Sequence, residues 1–424
     1  MNRRIHVVVS AIALLVARDA LAEQAFLHNG PWELFTSGRV GGFLSYTRGD
    51  GYPVITPTQN PFGGGINANT AAQIADPTMP LQQPTLESMR LRSGFLGNIL
   101  GVGVRNQYTE WTTLTGYLEL WSDIESETRR KYLPMPIDVR QGYLRAEGPW
   151  GTLTVGRQLT LYSRGAAEID FLYGHQYGLG FPGAIDSSGP AAGHVGTGVI
   201  GPGFGGGAAY ATPGFHGLQL TIGIYDPVQL QGAWPRTKWA RPEGELTYDR
   251  ALGTNARLHL FGNGIYQRVY KASDLDSVHT DVYGVGYGGR IEVGRFHLGL
   301  AGHYGQGLGL YYALETTEAA YDEHQRLRKS DGYYAQAQLA MPRFDVNAGV
   351  GLSRVYRLST DGVVDANGSR ISLIDYQLGM SAVFVYHFSR ALHADLEYFR
   401  AQYHWYLGEH QNVNFINSGV TMTW

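Results

Sequence analysis

Residues 151–174 read GTLTVGRQLTLYSRGAAEIDFLYG, and they bring Arg157, Arg164, Glu168, Asp170, Tyr162, Phe171 and Tyr173 into one short stretch. Fixed charges of both signs beside rings are material for electrostatic and stacking recognition. The candidates for bond-making chemistry elsewhere are weak. Fourteen histidines are dispersed; His297 and His303 share a strand parity, but no third ligand lies near them in sequence, so no metal site is expected. The glycine runs GPGFGGG (201–207) and GVGYGG (284–289) do not sit between a strand and a helix, which excludes the usual phosphate-binding loop. GTGV and NSGV build no Gly-x-Ser-x-Gly elbow, and no Ser/His/Asp constellation is legible, so an enzyme is not expected. No cofactor is implied.

The elements that must position these residues have period two. In 218–225, Leu218, Leu220, Ile222 and Ile224 alternate with Gln219, Thr221, Gly223 and Tyr225. In 345–353, Val346, Ala348, Val350 and Leu352 share one parity, and in 376–388 so do Tyr376, Leu378, Met380, Ala382, Phe384, Tyr386 and Phe388. One apolar and one polar face is the signature of a β-strand. Short connections near 108–113, 149–151, 213–217, 250–256, 294–295, 341–344 and 389–391 alternate with long ones near 48–86, 126–136, 159–204, 226–241, 271–280, 307–330, 356–369 and 404–413. Seven short and eight long connections delimit sixteen strands. That asymmetry predicts an all-β transmembrane antiparallel barrel, with apolar residues toward lipid and polar ones toward a wet interior. A soluble sandwich also alternates its faces. The long strands, and a polar face rich in Gly, Ser, Gln and Asn, favour the barrel.

Composition agrees. The chain of 424 residues has 58 Gly and 28 Tyr, only 16% charged residues and no Cys, so disulfides and thiolate metal sites are excluded. A formal net charge of −3 argues against a nucleic-acid partner. Residues 1–22 read as a cleaved export signal: Arg3 and Arg4, a short apolar run from Ile5 to Ala17, then Ala20-Leu21-Ala22. Residues 23–424 read as one barrel domain. Trp32, Tyr46, Trp111, Trp121, Tyr270, Tyr304, Tyr403 and Trp405 fall near predicted strand ends, where aromatic girdles sit. Val420, Met422 and Trp424 share one parity at the C-terminus, and a terminal aromatic strand looks like the recognition signal of the barrel-assembly machinery.

Four segments carry a resemblance to a known family: GRVGGFLSY (38–46), RSGFLG (92–97), VRQGYLRAEGPWGTLTVGRQ (139–158) and GAAYATPGFHGLQLTIGIYD (207–226). They resemble strands of the Gram-negative general porins. The resemblance implies a sixteen-stranded barrel, usually a homotrimer, set in outer-membrane lipid and lipopolysaccharide. It implies passive diffusion of small hydrophilic solutes through a water-filled channel. It also implies that the third outer loop, about 159–204, folds inward and narrows the pore, its acids facing arginines on the opposite wall.

Carried over by position, the family's constriction residues fall on Arg39, Arg92 and Arg140, with Arg90 sharing the parity of Arg92, and on Asp170 in the loop. Gly174 stands near the place of a second loop acid, for which Glu168 is the substitute. A further family arginine, just after the inward loop, has no clear counterpart; Phe204 and neighbouring glycines lie there. A charge on lipid-facing strand surface costs roughly 2–4 kcal/mol at the midplane, so the strand arginines are expected to face the lumen. Asp395 and Glu397 share a parity and are candidates for the same face. Arg157 and Arg164 are expected to pin the loop to the wall. An alternative reading is a substrate-selective channel, for sugars for example, with Tyr162, Phe171, Tyr173 and Tyr177 stacking on the solute; the favoured reading of these rings is that they anchor the loop to the wall. A barrel enzyme or an adhesive barrel, using the long loop 48–86, are further alternatives.

Overall fold

The computed structural model describes residues 23–51, 85–92, 97–122, 124, 137–172, 193–230, 234, 236–271, 278–311, 313–314, 326–359 and 374–424. Residues 1–22, expected to be an export signal, together with Tyr173, Gly174, Tyr177 and most of the loop 48–86, lie outside them. The strands are β1 (Gln24–Asn29), β2 (Trp32–Asp50), β3 (Thr85–Arg92), β4 (Asn98–Thr109), β5 (Thr112–Ser122), β6 (Ile137–Gly148), β7 (Gly151–Leu159), β8 (Phe204–Ala211) and β9 (Leu218–Tyr225). The second half of the chain adds β10 (Arg241–Ala251), β11 (Ala256–Tyr270), β12 (His279–Val293), β13 (Phe296–Gln306), β14 (Lys329–Ala340), β15 (Phe344–Val355), β16 (Ile374–His387), β17 (Leu392–Trp405) and β18 (His410–Thr423). A single helical turn, α1 (Arg164–Glu168), lies in the loop after β7.

All ladders are antiparallel, and β18 pairs with β2 to close the sheet. The eighteen segments form sixteen staves. Along one edge of β2, β18 pairs with 39–49 and β1 with 32–36. Along the other edge, β3 pairs with 43–50 and β4 with 32–39. Closure leaves no free edge around the ring, which a barrel in lipid requires because hydrocarbon offers no partner for backbone N–H and C=O groups.

The two faces divide as the alternation predicts. Leu220, Ile222, Ile224, Val346, Val350 and Phe384 are exposed on the outside, while Asn347 and Gln377 are buried inside. In water such a surface would be an aggregation site; in lipid it is the solvated one. The short connections fall at one end of the staves, with an additional one at 30–31 between β1 and β2. Gly294 turns the β12–β13 hairpin with φ +60°, a conformation that disfavours any side chain with a Cβ. At the C-terminus, Trp424 pairs through its backbone with Gly38 (2.8 and 3.0 Å). Its indole lies where a Cβ on Gly38 would stand.

The aromatic girdle needs correction. Trp32 and Trp111 are exposed, but Trp121, Tyr270, Tyr403 and Trp405 are buried. Tyr403 and Trp405 pack with Phe43, Phe399 and Phe415, and Trp121 shares the inward parity of Tyr117 and Glu119 on β5. A ring near a strand end satisfies the girdle pattern on either face, and parity separates the two.

Candidate functional site: the loop wall and the open wall

The two described ends of the long segment between β7 and β8, 160–172 and 193–203, pack on inward-pointing side chains of β10–β16. Tyr162 joins Ile265, Val269, Val282 and Leu308. Ala166 and Ile169 join Phe261, Ala301 and Tyr334, and Leu172 joins Val383 and Val385. The irregular backbone has polar partners on the wall. Tyr334 Oη donates to Ala166 O (2.8 Å) and Gln336 Nε2 to Ile169 O (2.7 Å). Gly198 N donates to Ser353 Oγ (2.9 Å). Non-helical backbone at membrane depth requires such satisfaction.

Charge fastens the start of the segment. Glu243 and Glu245, two apart on β10, are both buried on the inner face. Glu243 accepts from Tyr162 N (2.8 Å) and pairs with Arg241 Nε (2.8 Å). Arg164 Nη2 binds Glu245 Oε2, and Arg164 Nε lies 3.7 Å from Glu168. Arg164 therefore does pin the loop. Arg157 is exposed, and its Nε donates to Arg140 O (3.1 Å). The acids of β10 were missed in the sequence, although the penalty that turns arginines inward applies equally to carboxylates two apart on a strand.

Asp170 and Glu168 separate sharply. The Asp170 side chain has no exposed surface. Its carboxylate accepts from Leu172 N (2.9 Å) and His194 N (2.7 Å), and lies 3.1 Å from His194 Nδ1. It ties the two described ends of the segment together and does not face water, which corrects the expectation that it looks across the lumen at the arginines. Glu168 keeps 43% of its side chain exposed. Surrounding protein still displaces much of its water, so burial pushes its carboxyl above the usual range; Glu245 adds to the shift and Arg164 opposes it. Tyr162 and Phe171 are buried anchors, so neither offers a free ring to a solute.

The arginines stand on other staves. Arg39 is buried on the inner face of β2. Arg90 shares the inward parity of Leu86, and its Nη1 donates to Met89 O (2.9 Å). Arg92 opposes Phe43 in the ladder; its side chain lies outside the described residues. Arg140 sits where the β5–β6 register shifts. Its guanidinium lies 4.9 Å from the Trp121 ring centre and 5.7 Å from that of Phe204, and Asp138 pairs with its Nε at 2.8 Å. Asp395 and Glu397 are inward and buried, and Asn417 Nδ2 donates to Glu397 Oε2 (2.8 Å).

A model of the Gram-negative porin family matches residues 86–389, more than half of the chain. The chain belongs to the Gram-negative porin family. It is an outer-membrane channel and not an enzyme. Solved porins share its fold at low identity. The outer membrane channel DcaP of Acinetobacter baumannii is 13% identical, with 94% of this chain and 99% of that one covered at a TM-score of 0.63. The anion-selective porin of Comamonas acidovorans is 13% identical, with 93% and 100% covered at 0.57. OmpF of Salmonella typhi is 11% identical, with 95% and 100% covered at 0.52. No curated protein sequence matches the chain.

Proposed function

We propose that this porin is a passive diffusion channel for small hydrophilic solutes and ions, narrowed by the segment 159–204 and polarised across its width. The observation that carries the reading is the division of charge between the walls. On the loop side, three carboxylates (Glu168, Glu243, Glu245) meet two guanidiniums (Arg164, Arg241). The staves opposite carry Arg39, Arg90, Arg92 and Arg140. Asp138 offsets Arg140, and Arg39 and Arg90 stand on the inner faces of β2 and β3. A field between walls of opposite sign orients dipolar solutes and disfavours apolar ones. A homotrimer in outer-membrane lipid and lipopolysaccharide, assembled through recognition of the Trp424 strand by the barrel-assembly machinery, fits the family. Trimers are recorded for OmpT of Vibrio cholerae, whose barrel is similar.

Planar-bilayer recording tests this. Purified protein is expected to form steady water-filled pores, and Arg92→Ala to move the reversal potential toward cation selectivity. Protein that never conducts would sink the channel mechanism. An unmoved reversal potential would remove Arg92 from the narrow zone.

A further inference from the structure

The wall away from the loop carries a line of rings. At the level of Phe204, the Phe204 and Trp121 rings meet edge to face at 5.6 Å, with the Arg140 guanidinium beside both. Four residues along β5 from Trp121, about 13 Å at the usual rise, stands Tyr117. Its ring is 5.4 Å from Tyr143 and stacks on Phe35 at 6.2 Å. Phe204, Tyr117 and Tyr143 are only partly buried, so they offer ring surface to the lumen.

Charged groups along this line interleave in sign. Asp138 pairs with Arg140. Arg105, beneath Phe35, pairs with Glu33 at 2.7 Å and with Glu23. Arg145, over Tyr143, lies two positions from Glu147 on the same face of β6. The Glu119 carboxylate, between the two ring groups, is taken up by Trp121 Nε1 (2.6 Å), Tyr117 Oη (3.1 Å) and Gln141 Nε2 (3.1 Å). Three guanidiniums meet five carboxylates along the track, so it offers an anion no net attraction. It offers flat apolar surface flanked by hydrogen-bond donors and acceptors.

We infer that this track binds neutral sugars, stacking the apolar face of a pyranose ring on Phe204 and then on Tyr117 and Tyr143 while its hydroxyls meet the flanking charged groups. The inference rests on the channel reading and gives it a substrate class. It also relocates sugar stacking from the loop, where Tyr162 and Phe171 are buried, to the wall. Phe204 becomes functional on this account, as the ring that begins the stacking surface.

The test is block of the potassium chloride current through single trimers by added solute. Maltotriose is the probe. Sorbitol, an acyclic polyol without a ring face, and benzoate, an anionic ring, are the controls. Maltotriose is expected to block saturably and the two controls not. Phe204→Ala and Tyr143→Ala are each expected to weaken maltotriose block by roughly 2- to 12-fold, the worth of one ring contact, with potassium chloride conductance kept. Equal block by sorbitol, preferential block by benzoate, or unchanged maltotriose block in both variants would overturn the inference. Loss of conductance in the wild type would instead defeat the channel reading. Arg145→Gln, which leaves every ring in place, is expected to keep at least part of the block; complete loss would show that charge and not stacking governs binding.

Discussion

The contact between Arg164 and Glu245 should hold the start of the loop on the wall. Glu245 is 1% exposed at its side chain and Arg164 is 26% exposed. Among the described residues, Glu245 Oε1 has no hydrogen-bond partner. Replacing Arg164 with Met removes the cation and leaves a buried carboxylate behind. Stranding one half of a buried pair costs about 3–5 kcal/mol. Water entering through the open side of Arg164 lowers that to about 2 kcal/mol at best.

The penalty therefore lies between about 2 and 5 kcal/mol. Hydrogen exchange of the amides of 162–170, read by mass spectrometry in detergent, reports this opening directly. Arg164→Met should lower protection roughly 30- to 5000-fold relative to wild type. Adding Glu245→Gln should restore most of the protection at pH 7, because both members of the pair are then gone. A loss below about 5-fold would refute the reasoning.

Glu168→Gln should move the reversal potential toward anions, since it removes the carboxylate in excess on the loop side. The wild type should make the same move as pH falls. A raised carboxyl loses its charge above the ordinary 4.5, so anion preference should grow in the window just above that value and vanish in the variant. Asp170→Asn should leave the reversal potential unchanged, because the carboxylate faces loop backbone. It should raise exchange at Leu172 and His194 by an amount equivalent to about 1–3 kcal/mol. Gly38→Val should cost about 1–3 kcal/mol by overpacking against Trp424, visible as a lower temperature for loss of the compact electrophoretic band.

The barrel was legible in the residues because its determinant is local. Alternation at 218–225 or 345–353 assigns each side chain to lipid or lumen without reference to any other strand, and the short and long connections fix the stave count. Arg39, Arg90 and Arg140 could be placed by the same lipid penalty, and Glu243 and Glu245 should have been.

What the chain could not reveal by itself is which partners the inner face brings together. Asp170 and Glu168 are two apart and alike in type. The first is sealed against His194, 24 residues away in sequence, and the second stays open, because α1 ends between them and turns one inward to the loop backbone. Tyr162 reads in sequence either as a stacking ring or as an anchor of the loop, and the pocket supplied by β11 and β12 makes it an anchor. Trp121 looked like a girdle residue and meets Phe204 across two staves. Period two determines the face on which a residue stands; only closure of the sheet and the path of the loop determine what it meets there, because those contacts join positions far apart in the chain.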